Sequence, residues 1–179
     1  MKRTLGPLFT LLIAVALTVT ACGDDSKPKG FLGVQRGNNM SLTVYEVTLK
    51  DAVYYGETKD GVATYYKVRP SDPEKKLAVA SITLRNDKST RLVMNVDDKS
   101  YRLLDKAGAE YLSVDPFKNR ELSPSVPNNE GLYTWVWGQF DIQKEFGVTG
   151  WALFEVPKDL KPTQLRWDTV ETIFVRFEE

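Results

Sequence analysis

The chain has 179 residues, with 24 Lys and Arg against 24 Asp and Glu, no histidine and one cysteine. The balanced charge gives no electrostatic reason to expect a nucleic-acid partner. The lack of histidine removes Ser-His and Cys-His nucleophilic arrangements and the commonest metal ligand together.

The chain opens with Lys2 and Arg3, followed by the apolar run Leu8 to Leu17. That run suits a signal-peptide core and is short for a membrane span, which needs roughly 20 apolar residues. Val19, Thr20 and Ala21 then precede Cys22, the only cysteine. This tetrapeptide resembles the lipobox of bacterial lipoproteins. The resemblance implies peptidase recognition through Val19, Thr20 and Ala21, and cleavage after Ala21. It also implies diacylglycerol on the Cys22 thiol and a further acyl chain, such as palmitate, on the new amino group. Targeting segments of this layout are seldom structural, so a secretory leader with an incidental cysteine or an uncleaved helix is the weaker reading. Stable attachment generally takes more than one acyl chain, each buried CH₂ contributing about 0.8 kcal/mol. The protein is therefore expected to be anchored to a membrane through Cys22 and to work outside the cytoplasm. Gly23 follows the cysteine. In the lipoprotein sorting pattern this resembles, that permits outer-membrane delivery in a cell with two membranes.

Cleavage leaves 158 residues (179 − 21), with 22 basic and 24 acidic side chains because Lys2 and Arg3 depart with the leader. That length suits one domain. An acylated Cys22 leaves no thiol for a disulfide, so the fold must rest on its core. Residues 22–39 are polar and rich in Gly, Asp, Lys and Asn, and read as a lipidated flexible tether.

From Met40 to the end at 179 the texture is β-type. Tyr45, Val47 and Leu49 alternate with polar neighbours. Ala52–Tyr55 and Val62–Val68 flank Asp60-Gly61, a strong hairpin dipeptide. Pro70, Pro73 and Glu74-Lys75-Lys76 break the pattern before the apolar strand Leu77–Leu84. Leu92, Met94 and Val96 alternate next. Tyr101–Leu104 and Glu110–Val114 bracket a turn that ends on Gly108. The segments between Ala78 and Val114 are expected to pair antiparallel with one another. Residues 115–131 read as a long loop, Leu132–Phe140 as extended and aromatic, and Gly150–Val156 as a strand stopped by Pro157. Leu165–Trp167 and Thr172–Phe177 finish the domain. Short strands at this spacing predict an all-β, immunoglobulin-like antiparallel sandwich of seven to nine strands.

Three segments carry a further resemblance: Ala78–Asn86, a strand closing on asparagine; Leu103–Tyr111, a hairpin built on Asp105 and Gly108; and Gly150–Pro157, a Gly-led strand ending Phe154-Glu155-Val156-Pro157. In this order, across residues 40–178, they resemble a telokin-like (immunoglobulin-like) domain family of unknown function found in bacterial lipoproteins and small secreted antigens. The long loop and Trp-rich segment from Asp115 to Gln143 depart from its pattern. The resemblance implies a β-sandwich and brings no catalytic residues.

Tyr133, Trp135 and Trp137 are spaced two apart, which places them on one face of an extended segment. Such a row can stack on sugar rings or form the buried face of a strand, and burial is the commoner fate of large aromatics. Asn95–Ser100 gathers oxygen ligands but lacks the glycine and distal glutamate of a calcium loop, and reads as a solvated turn. No pair of carboxylates stands out as hydrolytic machinery. The functional expectation is a lipid-anchored envelope module without catalytic activity, cofactor or metal, engaging an envelope protein. A glycan-binding module using Tyr133, Trp135 and Trp137 is the alternative, and a carboxylate-based hydrolase a more distant one.

Overall fold

A computed structural model describes residues 30–128 and 130–177. The leader, Val19, Thr20, Ala21 and Cys22 lie outside these residues. Among the described residues every regular element is a strand. There are thirteen: β1 (Gly33–Arg36), β2 (Met40–Lys50), β3 (Val53–Lys59), β4 (Val62–Val68), β5 (Lys75–Asn86), β6 (Arg91–Val96), β7 (Tyr101–Asp105), β8 (Glu110–Leu112), β9 (Arg120–Ser123), β10 (Gly138–Gln143), β11 (Gly147–Pro157), β12 (Pro162–Asp168) and β13 (Thr172–Arg176). They form antiparallel sheets in the orders β1-β2-β5-β11, β10-β6, β13-β12-β7-β8 and β3-β4-β9.

The centre of this arrangement is β5, which pairs with β2 on one side and β11 on the other. Side chains alternate across a strand, and β5 buries one face from Ala78 to Asn86 and the other at Leu77 and Val79. Ala78, Ala80, Ile82 and Leu84 enter one core, where they meet β6, β7, β10, β12 and β13. Leu77 and Val79 enter a second core with Val53, Tyr55, Val68, Trp135 and Leu153. The β1-β2-β5-β11 sheet is thus covered on both faces over part of its area. The larger core contains Trp167 and Tyr101, both fully buried, with ring centroids 4.9 Å apart.

The register of β2 shifts between Val44 and Glu46. A bulge of this kind inserts one residue and resets the alternation. Met40, Leu42 and Val44 before it, and Val47 and Leu49 after it, therefore pack on the same core, and Tyr45 does not continue the series expected from sequence. The Asp60-Gly61 turn forms as expected, with both residues at positive φ (52° and 79°), as a two-residue primed hairpin turn requires. Gly108 has φ 84°, and the Asp105 carboxylate accepts the Ala109 amide at 2.9 Å to close that turn.

Several expectations are corrected. The tether expected to run to Asn39 is already part of the sheet from Gly33, since β1 pairs residue for residue with the start of β2. Its polarity reflects an edge position: only Gly33 is buried, where an added Cβ would lie 2.9 Å from Val175 Cγ1. Between Ala78 and Val114 only β7 and β8 pair, and β6 joins β10 in a different sheet. The reason is burial. An element apolar on both faces takes the middle of a sheet, whereas β6 alternates buried and exposed residues and suits a one-sided layer. Lys75 and Lys76 open β5 opposite Pro157 and Val156 instead of breaking it. The expected loop 115–131 contains β9, paired with β4.

Candidate functional site

The aromatic segment runs along the free edge of β11. The Tyr133 amide donates to Tyr54 O at 2.9 Å, the Trp151 amide to Thr134 O at 2.9 Å, and the Val136 amide to Trp151 O at 3.0 Å. These bonds hold Trp135 parallel to Trp151. Alternation then sends Val136 into the larger core and Trp135 into the smaller one. Both faces are apolar because both are covered.

Tyr133, Trp135 and Trp137 occupy different situations. Trp135 is buried, and Tyr133 stacks on it at 5.5 Å with an interplanar angle of 12°. The other side of Tyr133 receives the edge of Trp151 at 5.0 Å. The cluster continues through Tyr55, which meets Trp135 at 6.1 Å and Tyr66 at 5.2 Å. Arg120 closes its outer end, lying 4.2 Å over the Tyr66 ring and donating to Tyr55 Oη at 2.9 Å. Burial pushes the Tyr55 and Tyr133 hydroxyl pKa values up, so both phenols stay neutral. Arg120 also pairs with Glu57. Tyr133 and Trp135 are in this way committed to packing.

Trp137 is half-buried and lines a cleft of about 480 Å³ together with Ser71, Asp97, Asp98, Asp115, Lys118, Asn119 and Glu155. Most of these carboxylates already have local work. Asp97 Oδ1 accepts the Lys99 amide at 3.0 Å and the Ser100 hydroxyl at 3.1 Å, which makes Asn95–Ser100 a self-satisfied turn. Asp115 accepts the Phe117 amide at 2.8 Å. Burial would raise the Glu155 pKa, but the Ser71 amide and hydroxyl and the Lys75 ammonium outweigh it and hold the carboxyl below its usual range. Glu155 is a structural anion here, tying the Ser71 turn to β11 at 2.8 and 2.9 Å. What the cleft offers a ligand is the Trp137 ring, the Asp98 carboxylate and the Asn119 amide at its wall.

Trp137 was visible from sequence as part of an aromatic row. Nothing in the sequence marks Ser71, Asn119 and Glu155 as parts of one cleft, because they arrive from three distant segments and no local pattern links them. No family model, curated protein or solved structure matches this chain.

Proposed function

We propose that the chain is a lipid-anchored binding or structural module of the bacterial cell envelope, held to a membrane outside the cytoplasm by acyl chains on Cys22 and engaging an envelope protein. The observation that carries this reading is the order of the leader, the Val19-Thr20-Ala21-Cys22 site and the β fold, whose first strand begins eleven residues after the cysteine (33 − 22). The fold reading that accompanies it is an immunoglobulin-like sandwich of the telokin-like kind. Support comes from a strand closing on buried Asn86, a hairpin turning on Asp105 and Gly108, and a strand ended by Pro157, in that order along the chain. The thirteen strands among the described residues exceed the seven to nine expected, and β1 and β9 are two that the sequence reads as tether and loop.

The test is Cys22→Ser. The wild-type protein is expected in the membrane fraction with an acyl-modified N-terminus by mass spectrometry, and the variant in the soluble fraction. Identical fractionation of the two would sink the anchor reading.

Glycan recognition is the second reading, favoured by the half-buried Trp137 at the wall of a polar cleft. Sugars stack an apolar face on an aromatic ring while their hydroxyls donate to a carboxylate such as Asp98 and exchange hydrogen bonds with an amide such as Asn119. A panel of soluble peptidoglycan fragments should then show binding that Trp137→Ala weakens by about tenfold to thirtyfold, the usual size of an aromatic hot spot. Trp135→Phe lies in the core and should leave that affinity alone. Absence of binding across the panel would end this reading and return the cleft to the protein-partner hypothesis.

A further inference from the structure

We propose that the seam between β1 and β13 lies against the lipid surface that holds the anchor. The inference rests on the anchor reading above and adds an orientation to it. The seam is a groove of about 630 Å³ walled by Phe31, Val34 and Gln35 on one side and Phe174, Val175 and Arg176 on the other. The two strands are not hydrogen-bonded to each other in the described ladders, yet they approach closely: an added Cβ on Gly33 would sit 3.0 Å from Arg176 O. Closing the seam in this way turns outward what lies beside it. Val34 is 52% exposed and Phe174 45%, on neighbouring strands with buried Gly33, Ile173 and Val175 behind them. Two apolar side chains stand open side by side at this edge, Val34 on a strand exposed beyond Gly33 and Phe174 on the outward face of β13, and together they form a surface that a partner can cover.

The length of chain leading to this edge says what covers it. From Cys22 to Gly30 there are eight residue steps (30 − 22), and even fully extended these cannot exceed about 29 Å. Since β1 begins three residues later, the seam belongs to the part of the fold that the anchor keeps nearest the bilayer. The charge around it fits as well. Arg36 and Arg176 are exposed and have no acidic partner among the described residues. Arg166 lies 5.4 Å over the Phe174 ring, although its charge is shared with Asp168 and Glu110. Of the acidic groups nearby, Glu171 is occupied, accepting the amides of Asn39 and Met40 at 3.0 and 2.8 Å. Glu46 stands beside Gly30, where the chain enters the fold. Glu178 and Glu179, which end the chain, lie outside the described residues. Apolar side chains flanked by arginines suit an interface of acyl chains and anionic headgroups.

The experiment uses the full chain, acylated in the cell, purified in detergent and reconstituted into vesicles of phosphatidylglycerol and phosphatidylcholine. With Cys22 acylated, Val34→Cys offers a unique thiol for an environment-sensitive fluorophore. Arg36→Cys reports on the same face, and Asp60→Cys at the tip of the β3–β4 hairpin is the distant reference. Spin-labelled phospholipids should quench the probes at 34 and 36 and leave the probe at 60 unquenched. Phe174→Asp should abolish the quenching at 34 while the protein remains in the membrane fraction. Equal lack of quenching at 34, 36 and 60 on protein whose Cys22 carries acyl chains would overturn the docking and leave the anchor standing. A Cys22 without acyl chains would overturn both.

Discussion

Asn86→Leu is expected to lower the stability of the protein by about 3 kcal/mol, because it leaves several buried polar groups unpaired at once. Asn86 is fully buried at the end of β5. Its side-chain amide donates to Ser89 O at 2.8 Å and to Ile142 O at 2.9 Å, and its oxygen accepts the Ser89 amide at 3.0 Å. Its backbone pairs with Phe146 O at 2.9 Å and with the Glu145 amide at 2.7 Å. One residue thus joins the central sheet, the turn into β6 and the end of β10. Leucine keeps the same branching and number of side-chain heavy atoms but is bulkier, so crowding at this buried site adds to the loss of hydrogen bonding. Each buried group left without a partner costs about 1–3 kcal/mol, and Ile142 O has no water-facing alternative. Thermal unfolding of the unlipidated Cys22→Ser form should drop by about 10 °C at this chain length. Asn86→Asp should not rescue it, since the carboxylate keeps the acceptor but loses both donors and buries a charge. A midpoint within a degree or two of the parent would mean the amide network contributes little.

Asn86 also shows where sequence reasoning succeeds. A strand that ends on asparagine and is followed by polar residues announces a turn whose backbone groups need a side chain, and that is how the amide is used. Asp60-Gly61, Gly108 and Pro157 are legible in the same local way, because backbone conformation limits which residues can stand there. Pairing is different. The central position of β5 depends on β2 and β11, one 35 residues before it and the other 72 residues after it at their first residues (75 − 40 and 147 − 75), and apolarity on both faces reveals burial without naming neighbours. β1 is harder still, since an edge strand with one buried glycine has a tether's composition. The aromatic row was ambiguous for a physical reason too: Trp135 and Val136 are both buried on opposite sides, so alternation carries no polarity contrast. For function, the proposed anchor rests entirely on sequence. The cleft beside Trp137 is a product of the fold.

Gly150→Ala should cost about 2–4 kcal/mol and shift the tryptophan emission to the red, which makes it the most direct test of how the aromatic segment is seated. Gly150 is buried in β11, and an added Cβ would lie 2.5 Å from Thr134 O and 2.9 Å from Val136 Cγ2. The first obstacle is backbone, so no rotamer change relieves it. The segment must move off β11, which stretches the bonds from the Trp151 amide to Thr134 O and from the Val136 amide to Trp151 O. Trp135 then loosens from its core and Tyr133 from its stack on Trp135. Of the four tryptophans, Trp135, Trp137 and Trp151 belong to this contact, and Trp167 lies in the opposite core as an internal reference. Acrylamide should therefore gain access to most of the emission while a shielded fraction persists. Gly108→Ala provides the contrast. Its φ of 84° makes alanine strained by about 1 kcal/mol, yet nothing stands within 4 Å, so the emission should not change. Because Trp137 continues the displaced segment into the cleft, any ligand of that cleft should lose affinity in Gly150→Ala and keep it in Gly108→Ala. An emission spectrum and a ligand affinity both untouched by Gly150→Ala would place the segment elsewhere than on β11.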